Sequence, residues 1–386
     1  MRMSSTFLAP IAACLLAACA SAPPLAMHAE NLLADSAFGA PAESVTTDDV
    51  LRVSEPMRHY LNVDIASQLH AKGAQTGLIE ALYQKGQLKL EYDAATTKTA
   101  AQAFDARSGN CLSLVLMTAA LAHELKLPVH YQSAYLEEIW SRAGSLLFAS
   151  GHINVSVGRR LIDAGTNRDL SPLTVDFLPQ QDIRRMRTHD IGEHTVLAMY
   201  ANNRAAEALA VGRLDDAYAW AREAVRKDES FTGAYNTLGV IYLRHGDTAL
   251  ATTVFERILG REPANTRALS NLAEGYARQG RAGEAADLRT RLAAIEPHAP
   301  FHFFNLGIAA MQQSDYLAAR DFFRREVERA DYSHEFHFWL GLADWQLGDI
   351  AQARKELQLA LDNSITRSQH DLYAAKLDWL QSRRQQ

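Results

Sequence analysis

Cysteine is scarce: the chain has three in 386 residues, at positions 14, 19 and 111. So few thiols exclude a disulfide-framed scaffold. A basic excess is missing as well. Lys and Arg number 39 against 45 Asp and Glu, a net charge of -6. Nothing here argues for a nucleic-acid partner, and no acidic tail is visible. The apolar run at residues 7–18, FLAPIAACLLAA, falls short of the ~20 residues a membrane span needs. No Cys/His spacing suits zinc. GHINVSVGRR is not a phosphate loop, because no glycine-rich segment leads into a helix. No metal and no cofactor are therefore expected. What remains is ordinary globular composition, 48% hydrophobic and 22% charged, long enough for two or three domains.

The first residues do not read as fold. Arg2 precedes the apolar run, a signal-peptide arrangement over residues 1–18. The run ends in Leu16-Ala17-Ala18-Cys19, which resembles the bacterial lipobox. That resemblance implies lipidation of Cys19 as the first residue of the mature chain, and several acyl chains anchor firmly where one is marginal. Ala20 and Ser21 follow where an Asp would signal retention, so the resemblance implies the outer membrane, facing the periplasm. A plain secretory signal is the alternative. Residues 19–46 carry Pro and Ala without a clear period and read as a tether. Once Cys14 leaves and Cys19 carries lipid, Cys111 has no disulfide partner in an oxidising compartment. It is either inert core or a working thiol.

The second half is repetitive. Gly212, Gly246, Gly280, Ser314 and Gly348 recur every 34 residues, the length of a tetratricopeptide (TPR) repeat. The clearest copy, AYNTLGVIYLRHGDTALATTVFERILGREP, supplies Tyr235, Leu238, Gly239, Tyr242, Gly246, Ala251, Phe255 and Pro263. Small residues let paired helices approach, glycine ends the first helix in a left-handed cap, and proline ends the second. Each pair buries its face only against a neighbour. Residues 191–386 are thus expected to form an all-α TPR solenoid, with about five repeats over 198–365 and a C-terminal capping helix. Asn203, Asn236, Asn271 and Asn305 recur in near register. In the TPR family such a row commonly grips peptide backbone, so the resemblance implies a protein or peptide partner in the groove. Solvated polar positions are the alternative.

Residues 47–190 suffice for one compact domain. Val50, Leu51, Val53, Met57, Tyr60, Leu61, Leu78 and Leu82 carry helical spacing. DARSGN is a turn cluster, and CLSLVLMTAALAHEL a helix. PVHYQSAYL, LLFASGHINVSV and LTVDF read as strands. A cysteine opening a helix, a histidine opening a strand and an aspartate on the next strand resemble the transglutaminase-like (papain-type) family. The resemblance implies an α+β domain in which Cys111 is the nucleophile, His152 the base and Asp176 the acid. A helix N-terminus favours a thiolate, a histidine shuttles its proton, and a carboxylate fixes the imidazole. Asp163 is the alternative acid, facing Asn154 if Gly158 and Arg159 form a tight hairpin turn. Asp176 is preferred, since an acid within an apolar strand is costly without a partner. Asn154 shares a strand face with His152 by period two and would support it. Two features depart from the family: Asn154 stands where many members have an aromatic, and the His152–Asp176 loop is long.

Two functions follow. One is an anchored periplasmic thiol enzyme, an acyl-transferase or amidohydrolase acting on protein or peptide amides that the repeats present. The other is a non-catalytic TPR scaffold or adaptor lipoprotein at the outer membrane.

Overall fold

The computed structural model describes residues 27, 29–83, 90–93, 96–143, 146–158, 172–175, 187–364 and 366–382. Two single 3-10 turns, Ala29–Asn31 and Asp35–Ala37, open the described chain. Helices α1 (Glu55–His59), α2 (Ala66–Lys72) and α3 (Ala74–Tyr83) follow, α1 running into a π-turn at Tyr60–Asp64. Strand β1 (Glu91–Tyr92) precedes α4 (Ala100–Ala106), which a capping box of Thr99 and Gln102 starts. Arg107 ends α4 in the left-handed region, φ 50°, so the turn expected over DARSGN narrows to Arg107, with Asp105 and Ala106 still in α4. Strand β2 (Ser108–Gly109) then pairs parallel with β1 and hands over to α5 (Cys111–Glu124).

Helix α5 is apolar all round and therefore central: every residue from Leu112 to Ala122 is buried. Strands β3 (Val129–Ala143), β4 (Leu146–Val157), β5 (Leu173–Val175) and β6 (Arg187–Ile191) form an antiparallel sheet in the order β5-β4-β3-β6. Ile153, Val155 and Val157 are fully buried and share one core with α5, which packs on β4. Asn154 and Ser156 alternate to the other side, where Ser156 meets the Thr174 hydroxyl at 2.8 Å.

The helix pairs come next. They are α6 (Glu193–Ala210) with α7 (Leu214–Lys227), α8 (Thr232–His245) with α9 (Thr248–Arg261), and α10 (Thr266–Arg278) with α11 (Ala282–Ile295). Then come α12 (His302–Gln312) with α13 (Tyr316–Arg329), α14 (His334–Gln346) with α15 (Ile350–Asp362), and a last helix, α16 (Arg367–Ser382). Gly212, Gly246, Gly280 and Gly348 stand at positive φ between the paired helices, and Ser314 takes the same place at φ 61°. Gly239 serves a different need: a Cβ there would sit 2.4 Å from the Phe255 ring.

The expected tether over residues 19–46 needs correction in its described part. Leu32 is 1% exposed, and its carbonyl accepts from the Tyr242 hydroxyl at 2.7 Å. Phe38 stacks on Tyr218 at 4.1 Å between ring centroids. Glu43 accepts from Trp220 at 2.7 Å and from Arg204 at 2.9 Å. This segment is a strap across α6, α7 and α8. It shows no period because it is neither helix nor strand, and its side chains are matched one by one to distant residues.

Candidate functional site

Cys111 is the first residue of α5 and is half-buried. Asn110 caps the helix: its side-chain oxygen accepts from the Ser113 N–H at 2.9 Å and the Ser113 hydroxyl at 2.8 Å. Such a cap satisfies donors that the first turn leaves open. Asn110 donates in turn to the Thr97 hydroxyl at 2.9 Å, and Lys98 N–H donates to Ser113 Oγ at 2.8 Å. Gly109 permits this packing, because a Cβ there would lie 2.7 Å from that of Ser113. Thr97 also ties the helix start to the array. Its N–H donates to Glu207 at 2.7 Å, and its hydroxyl accepts from Asn203 at 3.3 Å. Burial pushes the Glu207 carboxyl above its usual range, against the pull of the Thr97 bonds and Arg204.

Helix α5 runs ~20 Å from Cys111 to its end. The chain then turns tightly, with Leu127 N–H bonded to the Ala122 carbonyl, and β3 returns. On β3, Ala134 is the register partner of His152. In sequence position 152 keeps period with Asn154 and Ser156, whereas α5 shares its core with Ile153, Val155 and Val157. Cys111 opens α5, and position 152 lies on β4 opposite Ala134 of β3.

Asp163, Asp176 and Cys19 lie outside the described residues. The tight hairpin that would bring Asp163 opposite Asn154 is corrected. Val157 pairs with Leu173 and Val155 with Val175, so β5 occupies the place the chain after Arg159 would need. Gly158 N–H is instead committed to the Pro128 carbonyl at 2.8 Å. Asn154 is 2% exposed, and its Oδ1 has no hydrogen-bond partner among the described residues. Among the described residues no cluster of His, Cys, Asp and Glu could hold a metal ion.

The asparagines of the helix pairs divide. Asn203 is taken up by Thr97 at the junction with the N-terminal domain, not by a groove. Asn236, 7% exposed on α8, accepts from the Asn271 side chain on α10 at 3.2 Å. Asn305 on α12 is exposed. The row therefore links α8 and α10 directly.

The Tetratricopeptide repeat family matches residues 236–300 and 304–367. The helical half is a TPR array. A solved structure of Pseudomonas aeruginosa pilF is similar over 50% of this chain and 88% of its own, at 18% identity and a TM-score of 0.28. A thermophilic TPR protein in Thermus thermophilus is similar over 47% and 98%, at 17% identity and a TM-score of 0.27. MamA covers 45% of this chain and 93% of its own, at 17% identity and a TM-score of 0.25. No curated protein matches significantly.

Sequence reasoning missed Thr97, Glu207 and Arg204, which join the TPR array to the start of α5. Only Asn110 carried a local signal, an N-cap residue directly before an apolar run. The others act across more than a hundred residues of chain, as Thr97 and Glu207 do with a separation of 110.

Proposed function

We propose that this protein is an envelope-anchored adaptor whose TPR array holds a protein partner as an extended segment along its groove. The observation that carries the reading is the contact of Asn271 with Asn236 in successive repeats. An amide side chain has two donor hydrogens and an acceptor oxygen with two lone pairs. One mutual bond leaves both residues with capacity for a peptide group laid across them. A photo-crosslinking amino acid in place of the exposed Asn305 should trap a partner in cells, and one in place of Leu317 on α13 should not. Equal trapping at both positions, or none at either, would discard the groove. The anchor is part of the same reading. It is supported by LAAC after the apolar run. Cys19→Ser should release the protein from the envelope; retention at the membrane would remove the anchor.

The half-buried Cys111 at a capped helix start favours a second reading. Here Cys111, His152 and Asp176 act on the amides of the bound protein, with Cys111 attacking and His152 taking its proton. Folded protein should then alkylate with iodoacetamide below pH 7, and more slowly after His152→Ala. Alkylation only on denaturation leaves the adaptor reading alone.

A further inference from the structure

A solenoid's first repeat has no neighbour on one side, and the face left open must be covered. At the far end α16 does this, burying Tyr373, Leu377 and Leu380. At the near end the described element directly before α6 is strand β6, not a repeat's helix pair, yet α6 and α7 are not open. Tyr200, Tyr218 and Trp220 are all under 5% exposed.

The strap supplies the cover. Tyr218 donates to Asp35 at 2.6 Å and accepts from Ala34 N–H at 2.9 Å. Gly39 and Ala42 N–H donate to Asp215 and Asp216 at 2.8 and 2.7 Å. These two aspartates open α7, so their carboxylates take up strap amides that would otherwise lack partners. Glu43 lies between Arg204 and Trp220, and Thr47 donates to Glu223 at 3.1 Å. Arg204 also lies 3.8 Å from Glu207, which holds Thr97. Strap, first repeat and N-terminal domain thus meet in one polar cluster, with Leu32 and Met27 buried beside it at 1% and 3% exposure.

We infer that residues 29–48 are the N-terminal cap of the TPR array. They hold the place of a preceding repeat and make the N-terminal domain and the first two repeats one cooperative unit. This does not rest on either proposed function. The test is amide hydrogen exchange on the full chain, comparing wild type with Leu32→Asp and, as a milder lesion, Glu43→Gln. Exchange in α6, α7 and α8 should quicken by tenfold or more, the equivalent of about 1.4 kcal/mol. Exchange in α12 to α15 should stay within about twofold in the Glu43→Gln protein, since repeats couple to nearest neighbours. An unchanged front in both variants, or a uniform rise along the array in both, overturns the inference.

Discussion

The second and fourth repeats carry the same contact at the same position. Phe255 lies under Gly239 and Phe323 under Gly307, each ring 2.4 Å from where a glycine Cβ would stand. Their surroundings differ. Phe255 belongs to a core that runs unbroken from Leu32 and α5 through to Leu288. Phe323 belongs to a separate cluster with Phe301, Phe304, Phe336 and Leu340. The front repeats therefore share their stability with the N-terminal domain, whereas the back repeats depend on helices of their own kind. One repeat sequence can be used in two energetic settings, and what flanks it decides which.

The largest effect that tests this contrast is loss of either ring. Phe255→Ala and Phe323→Ala should each cost about 3–5 kcal/mol. The first should lower the unfolding midpoint of α5 with it, and the second should leave α5 protected in hydrogen exchange. Loss of α5 protection in Phe323→Ala would erase the distinction.

Acid should act mainly at the back. Burial against α16 holds His334 down at about 4, with its Nδ1 2.8 Å from the Tyr373 hydroxyl. The unfolded chain takes up this proton near pH 6.5 and the folded chain does not. Stability therefore falls with pH below about 6.5, by up to about 1.4 kcal/mol per unit, until pH nears 4. Asp344 opposes this, since burial raises it to about 6 and the folded state gains its proton first. Melting temperatures of His334→Phe should show a shallower acid decline than wild type; an identical slope would mean that α16 does not bury this imidazole.

A smaller effect belongs to the front. Burial raises the Glu43 carboxyl, but hydrogen bonds from Trp220 and Arg204 outweigh it and hold it below the usual range. Its contribution is complete above the unfolded value of 4.5 and fades as pH falls below that. Glu43→Gln should cost about 1–2 kcal/mol at pH 7, measured by urea midpoint, and much less at about pH 3. A cost that does not shrink with acid would remove the charge from the account. Least of all, Asn271→Ala should change stability by under ~1 kcal/mol while abolishing crosslinking at position 305. A large drop in melting temperature would make the residue structural.

The repeats were legible because each is local. Glycine after one helix, a small residue facing an aromatic, and the same spacing again are all readable within 34 residues. Strands β3, β4 and β5 were legible for the same reason, since alternation in the first and β-branched residues in the other two need no partner. The strap was not, because Leu32 and Asp35 acquire meaning only from Tyr242 and Tyr218, 210 and 183 residues away. Asn203 misled for the reverse reason: its near register matched the row, but the first repeat meets α8 on one side and the N-terminal domain on the other, and Thr97 of that domain takes this side chain. The tight turn at Gly158 was not to be had from sequence, because a strand from further along the chain takes the pairing edge of β4.

The strap's distances along the chain also set an order of events. It is synthesised early, yet its partners come 161 to 210 residues later. At ~5–20 residues per second, the strap waits about 10–40 s before α7 and α8 exist. During that interval the apolar side chains of Met27, Leu32 and Phe38 have nothing to pack against. A chaperone that holds the emerging chain would find a client segment here. Closure of the front half then waits on α7 and α8, although the strap precedes them in the chain.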